Sequence, residues 1–372
     1  MAEPSADDRR HMAHAIMLAR RGLGTTADNP AVGCVIVDRQ GNVAGLGWTA
    51  PGGRPHAEIV ALAQAGGAAQ GGTAYVTLEP CNHHGRSPPC TLALLTAGVK
   101  RVVVAALDPH PSARGGADAL RTRGVAVEAG VLAAEAEQVL AGFLTRLVKN
   151  RPQVILKLAV SADGSIAARS GVRTQITGPR ASDRVHLMRA EADAVMVGAN
   201  TVIVDDPLLT CRLPGMEDRS PPRLVVDSAL RTPVSSKLVR SAKQVPLRVF
   251  HGQHASPNAV AALSAAGVRL DAIAAERGED GIDLDAVFAI LGTEGCNTVL
   301  VEGGAALAAS LLARDLVDGI ALFRSPKPLG EEGVPALAQG SLAETVAPTG
   351  RFELTGEELL GDDVLRQYRR KP

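Results

Sequence analysis

His56 and Glu58 stand two residues apart in Pro55-His56-Ala57-Glu58, and two cysteines follow in Glu79-Pro80-Cys81 and Pro88-Pro89-Cys90. One imidazole and two thiolates suit zinc, whose catalytic sites keep three protein ligands and leave the fourth position to water. His56, Cys81 and Cys90 make that count, and Glu58 is left over. A carboxylate in that place can carry the proton of zinc-bound water, whose pKa the metal lowers to roughly 7. Residues two apart in a regular helix point about 200° away from one another, so His56 and Glu58 would not share a face. A helix that starts at Pro55 removes the conflict. Both side chains can then converge over its N-terminus, where the dipole favours thiolates and hydroxide.

Nucleobase deaminases carry His-x-Glu followed by Pro-Cys-x-x-Cys. Here eight residues, not two, separate the cysteines. A closed structural site, with His83 or His84 as fourth ligand, is the alternative, but it has no use for Glu58. A zinc-stabilised interaction protein would leave Glu58 equally idle.

These residues need a scaffold, and 372 residues suit two domains, each with its own core. Apolar residues make up 46% of the chain and aromatics only 2%, so Ala, Val and Leu must fill the interior. Ser5 with Asp8 predicts a capped first helix. β-rich runs at 32–37, 73–78 and 101–106 alternate with helical patterns, and a long helix is expected over 133–149. Asn150-Arg151-Pro152 breaks that pattern, which sets a boundary between domains 1–150 and 151–372. Further strands are expected at 154–160, 194–197, 223–227, 247–250, 298–301 and 319–323, with helices between several of them. The segment 216–222 and the tail from Gly330 read as loop-rich.

Formal charge sums to zero, which argues against nucleic acid and anionic membranes as partners. Scarce aromatics argue against base stacking. No apolar run has the length of a signal peptide core or a membrane span. Five cysteines, an odd number without an export signal, make disulfides unexpected, and Cys34 reads as a small buried hydrophobe.

The runs Asn29-Pro30-Ala31-Val32-Gly33, Gly53-Arg54-Pro55-His56-Ala57-Glu58 and 77–90, with its widely spaced cysteines, resemble the bacterial bifunctional riboflavin-biosynthesis deaminase/reductases. The resemblance continues through Leu156-Lys157-Leu158-Ala159-Val160-Ser161-Ala162-Asp163-Gly164, Gly198-Ala199-Asn200-Thr201-Val202, Asp205-Asp206-Pro207-Leu208-Leu209-Thr210 and Val301-Glu302-Gly303-Gly304. It implies a cytidine-deaminase-like α/β/α domain followed by a dihydrofolate-reductase-like α/β domain. The implied first reaction is hydrolytic, zinc-hydroxide removal of the 2-amino group from 2,5-diamino-6-ribosylamino-4(3H)-pyrimidinone 5′-phosphate, with Glu58 carrying the proton. Asn29, His83, Arg86 and His110 would touch that substrate. The implied second reaction uses NADPH to reduce the ribosyl group to ribityl. Arg189, Leu209, Arg212 and Glu302 would face its substrate. Ala159, Gln175, Thr201, Asp205, Ser228, Gly303, Gly304, Ala305, Ala306 and Leu307 would line the cofactor. A homo-oligomeric, cytoplasmic enzyme is also implied.

The chain departs from the family pattern at two places. Gln175 stands where a Trp is usual, and the loop 108–116 is one residue short, with His110 in place of a common Asn. From the residues alone, Glu302-Gly303-Gly304 between an apolar run and a helical run is either a phosphate cradle or a simple turn, and no Gly-x-Gly-x-x-Gly is present. A second half that only binds a sugar phosphate would still need Arg189 and Arg212, but not Thr201 or Ser228.

Overall fold

The computed structural model describes residues 4–84, 88–110, 113–275, 281–330 and 332–371. Contacts divide the chain into two units, Met1–Asn150 and Arg151–Pro372.

The first unit is built on a five-stranded sheet of β1 (Gly33–Val37), β2 (Val43–Trp48), β3 (Thr73–Leu78), β4 (Arg101–Ala106) and β5 (Ala126–Ala129). The order is β2-β1-β3-β4-β5, antiparallel around β1 and parallel from β3 to β5. The run Gly-Cys-Val-Ile-Val of β1 is buried throughout because both sheet faces are covered. Cys34 and Ile36 pack with α2 (Ala57–Ala65) and α3 (Cys90–Thr96), while Val35 and Val37 pack with α1 (Ala6–Arg20). The short α4 (Gly116–Arg121) and long α5 (Ala133–Lys149) complete the layers.

Two details hold these layers in register. Ser5 and Asp8 form a capping box at the start of α1, and Asp8 also accepts the Tyr75 hydroxyl at 2.9 Å and the Arg101 fork at 2.6 and 3.0 Å. The Trp48 ring ends β2 beneath the Arg21 guanidinium, 4.3 Å from its centroid. Glycine governs how closely α2 lies on β2: a Cβ at Gly47 would come 2.2 Å from the Ala57 carbonyl oxygen. Gly47→Ala must therefore lift the very turn that carries His56 and Glu58. It is expected to destabilise this unit by about 1–3 kcal/mol in urea unfolding and to lower deamination without touching a reacting group. A variant as stable and active as the parent would show that α2 has room to move.

The second unit contains β6 (Gln153–Val160), β7 (Ser165–Ala167), β8 (Ala194–Gly198), β9 (Arg223–Val226), β10 (Leu247–Gly252), β11 (Arg269–Ile273), β12 (Thr298–Val301), β13 (Gly319–Arg324), β14 (Val334–Pro335), β15 (Phe352–Leu360) and β16 (Asp363–Arg370). Nine of these form one sheet, β11-β10-β9-β8-β12-β6-β13-β16-β15, and β7 pairs with β14. Strands from β11 to β13 are parallel, and β16 and β15 add antiparallel at the end. Helices α6 (Pro179–Glu191), α7 (Ala199–Asp205), α8 (Lys237–Arg240), α9 (Pro257–Ala265), α10 (Leu284–Thr293) and α11 (Ala305–Ala313) connect the parallel strands.

The tail corrects the sequence reading. From Gly330 it holds a short helix, Leu342–Thr345, and the β15–β16 hairpin rather than loop alone. That hairpin is charged, with Glu353 on Arg369 at 2.8 Å and Glu357 on Arg366 at 2.7 Å, so cross-strand ion pairs replace the apolar run that marks other strands. All five cysteines are free, and Cys34 is fully buried. Among the described residues no helix is long and apolar enough to cross a membrane.

Candidate active site

His56 is the N-cap of α2 and its side chain makes no capping hydrogen bond, so the imidazole is available to a ligand. Cys90 opens α3, and Cys81 lies three residues beyond β3. His56 Nδ1 is 3.7 Å from Cys81 Sγ and 3.4 Å from Cys90 Sγ. Tetrahedral zinc with ordinary Zn–S and Zn–N lengths would set those edges at about 3.6 Å. These three residues are the one group of His, Cys, Asp and Glu, among the described residues, whose ligand atoms lie within 4.8 Å of one another. His83 and His84 do not join it.

The ionisation of the group also fits a cation. A hydrogen bond from Cys90 draws the Cys81 thiol down to about 4 against its burial, and the same hydrogen bond, then burial, push Cys90 far up. The His56 imidazole is raised, first by its hydrogen bond to Cys81. Two touching thiols cannot both ionise on their own, and a divalent ion between them removes that conflict.

Glu58 is 4% exposed and lines the same pocket, of about 300 Å³. Burial, and then the Cys81 charge, push its carboxyl up to about 7. His56 sits outside the helix as its cap, so the 200° separation within a helix does not apply. The helix itself opens at Ala57, so Pro55 precedes the cap rather than forming the first turn, a correction of two residues.

Asn29, His83 and His110 line this pocket too. Asn29 Nδ2 donates to Asp28 Oδ1 at 3.0 Å and fills the space left by Gly53, where a Cβ would come 2.1 Å from that nitrogen. His83 Nδ1 is buried with no hydrogen-bond partner, the kind of orphan that a ligand satisfies. Arg86 lies outside the described residues. Sequence reasoning missed Glu79, whose buried carboxylate accepts the backbone N–H of Asp108 at 3.1 Å and of Ala117 at 2.8 Å. It ties the segment of Cys81 to the loop that carries His110. A glutamate directly before Pro-Cys was the available signal.

In the second unit the remaining residues gather along one edge of the sheet. Ser228, Thr201, Glu302-Gly303-Gly304 and Ala159 follow or end β9, β8, β12 and β6, which are consecutive neighbours with parallel carboxyl ends. Ligands of open α/β sheets bind in such a crevice where the strand order reverses. Gly304 is the N-cap of α11, and Ala305, Ala306 and Leu307 form its first turn. A Cβ on Gly304 would lie 3.5 Å from Thr201 Oγ1, and one on Gly303 would lie 3.0 Å from Leu307 Cδ2. Bare backbone N–H groups at that helix start remain open to a phosphate, so the residues fit a nicotinamide dinucleotide. Asp205 closes α7, where burial raises its carboxyl and the Arg173 and Lys157 charges oppose the rise. Gln175 is exposed and gives its amide to the Thr177 carbonyl at 2.8 Å.

Arg189 and Glu302 face each other fork to fork at 2.6 and 2.9 Å, with side chains only 11% and 8% exposed. Burial works against the Glu302 carboxylate, yet Arg189 and then Lys157 hold it below its ordinary range. Arg189 also donates to the Thr210 carbonyl at 3.0 Å, and Arg212 to the Thr210 hydroxyl at 3.1 Å. Buried Leu209, at φ +54°, turns the chain into that segment. Lys157 is the residue missed here: burial lowers its ammonium pKa, against the pull of Glu302 and Asp205. A lysine in the middle of an otherwise apolar strand was its signal.

Comparison with known proteins agrees with both halves. Residues 5–106 match the cytidine and deoxycytidylate deaminase zinc-binding region, and residues 152–365 match the RibD C-terminal domain. The riboflavin biosynthesis protein RibD of Escherichia coli is 38% identical over 370 residues, covering 96% of this chain and 98% of that protein. RibD of Aquifex aeolicus is 36% identical over 365 residues, covering 98% of each. The solved structure of Acinetobacter baumannii RibD superposes with a TM-score of 0.85 at 35% identity, covering 98% of this chain and 99% of that one. A Thermotoga maritima deaminase/reductase does so at 0.84 and 32%, with the same coverage. A zinc-fitting pocket in one unit and a dinucleotide-fitting crevice in the other, in a chain matched along nearly its full length, place this protein in the RibD family of bifunctional deaminase/reductases of riboflavin biosynthesis.

Proposed function

We propose that Met1–Asn150 deaminates 2,5-diamino-6-ribosylamino-4(3H)-pyrimidinone 5′-phosphate, and that Arg151–Pro372 reduces the ribosyl group of the product to ribityl with NADPH. The observation that carries the first half is the buried Glu58 carboxyl beside a three-ligand His56, Cys81 and Cys90 group. His56, Cys81 and Cys90 would hold zinc, which would supply a water of pKa roughly 7. The water oxygen would bond to C2, and Glu58 would carry its two protons in turn, one to the ring nitrogen and one to the amino nitrogen, so that the bond from C2 to the amino nitrogen breaks, ammonia leaves and C2 becomes a carbonyl. The unpartnered His83 Nδ1, with Asn29, Arg86 and His110, would hold the pyrimidine and its sugar phosphate.

In the second half, Glu302, held by Arg189, together with Arg212 and Leu209, would orient the opened sugar. Thr201, Asp205, Ser228, Ala159 and the 303–307 turn would seat the dinucleotide, which supplies a hydride to C1′ of the imine. Lys157 would give the accompanying proton to the imine nitrogen, since burial makes its ammonium a better acid. A reducing cytoplasm suits the free thiols, and a homo-oligomer completes the reading.

An anaerobic assay that follows ammonia release and NADPH absorbance together tests both halves. Ammonia followed by stoichiometric NADPH oxidation is expected. Ammonia without NADPH oxidation, even with deaminated intermediate supplied, would reduce the second unit to a sugar-phosphate-binding module. No ammonia from zinc-loaded protein would sink the substrate assignment.

A further inference from the structure

Among the described residues four acids line the zinc-fitting pocket, and the deamination gives three of them no proton to carry. Two of those three are already occupied. Glu79 holds two backbone N–H groups, and Asp28, exposed at the surface, takes the Asn29 amide. Asp108 is different. It is only 7% exposed, its Oδ1 accepts the His110 backbone N–H at 2.8 Å, and its Oδ2 has no hydrogen bond among the described residues. A buried carboxylate oxygen without a donor is costly to leave so, and a donor brought by a ligand removes the cost. Burial raises the Asp108 carboxyl above its ordinary range, and the Glu79 and Cys81 charges add to that rise against the His110 N–H. An N–H donor is what this place lacks.

The order of the sheet says which end of a ligand meets that oxygen. His56 and Glu58 arrive on α2, which lies close against β2, where a Cβ at Gly45 would come 2.1 Å from the Ala61 carbonyl oxygen. From β2 the order runs through β1 and β3 to β4, and Asp108 stands two residues beyond β4. The Glu79 N–H still pairs with the Ala106 carbonyl at 2.9 Å, so the segments leading to Cys81 and to Asp108 leave the sheet side by side, about 5 Å apart. Asp108 therefore enters the pocket from the side opposite α2.

In a pyrimidine whose C2 lies at the metal group, C5 is the ring atom directly across from it. The diaminopyrimidine carries an amino group on C5, a donor of two N–H bonds. Cytosine and uracil carry no such group. A guanine, in which the imidazole ring is closed, presents N7 at that place, an acceptor lone pair that a carboxylate repels.

We propose that Asp108 is a specificity-determining residue of the deamination: its Oδ2 accepts an N–H of the 5-amino group, which favours a 5-aminopyrimidine over a pyrimidine without that group and over a closed purine. This rests on the reading of Met1–Asn150 as the deaminase of the diaminopyrimidine. A site built to bind a substrate N–H rejects the analogue that lacks it, because its own buried acceptor is then left unpaired.

Ammonia release by the zinc-loaded full chain, measured with the 2,5-diamino substrate and with its analogue lacking the 5-amino group, isolates this contact. The parent should prefer the diamino substrate by about 10- to 100-fold in kcat/KM, the worth of one hydrogen bond to a charged group. Asp108→Asn keeps an oxygen for the His110 N–H and turns the other atom into a donor. It should slow the diamino substrate by about that factor and the analogue much less, so that the preference collapses; Asp108→Ala should do the same. If Asp108→Ala does not fold, Asp108→Asn, which spares the turn, decides. An equal loss on both substrates would make Asp108 a support of the 108–110 turn and overturn the proposal, as would a preference that survives in Asp108→Asn or is missing from the parent; in each case the deaminase reading stands. If the parent releases no ammonia from the diamino substrate, that reading falls and takes the proposal with it.

Discussion

Glu58→Gln is expected to slow ammonia release by about 10²- to 10⁴-fold, the range that a positioned proton carrier contributes. The amide has nearly the same shape, and the ligand trio of His56, Cys81 and Cys90 is left intact, so bound zinc should stay at one equivalent. Reduction of supplied deaminated intermediate should continue at the parent rate, because that chemistry belongs to a separate unit. Measuring zinc by atomic emission beside both half-reactions separates the outcomes. Lost zinc would make Glu58 a structural support of the site, and an unchanged deamination rate would remove it from the reaction. Chelation of the parent protein should mimic the variant in the first half-reaction and spare the second.

The second large effect is expected at the Arg189–Glu302 pair. Removing one partner of a buried ion pair costs about 3–5 kcal/mol, because the other charge is left without compensation. The two deletions should differ. Arg189→Met leaves the Glu302 carboxylate near the Lys157 ammonium, whereas Glu302→Met leaves Arg189 and Lys157 as two buried cations. Glu302→Met should therefore be the more destabilised in urea unfolding followed by circular dichroism, and NADPH oxidation should disappear in both. The double variant Arg189→Met/Glu302→Met should regain much of the stability and none of the activity. Equal stability of all three variants and the parent would show that the pair is reached by water and only orients substrate.

The metal trio is legible in the amino-acid sequence because zinc chemistry restricts residue type so strongly that His56, Cys81, Cys90 and a leftover Glu58 stand out from the chain. Much of the α/β alternation is legible for a similar reason: strands covered on both faces, such as β1 and β12, must be continuously apolar. The charged hairpin that ends the sheet obeys no such rule, so β15 and β16 hide in a polar tail. Partners distant in sequence are hidden too. Arg189 and Glu302 are 113 positions apart, and nothing local to either shows that one fork closes on the other. The clamp made by Glu79 depends on where the loop after β4 returns, and the start of α2 depends on His56 serving as its cap.

The stacking of Arg21 on Trp48 has a practical consequence, since this is the only indole in the chain. Tryptophan emission is an optical label that evolution has placed in the zinc-fitting half alone. A fluorescence melt will register that half and be blind to the other, so its divergence from a backbone signal gives the separate melting of the two halves without any added dye.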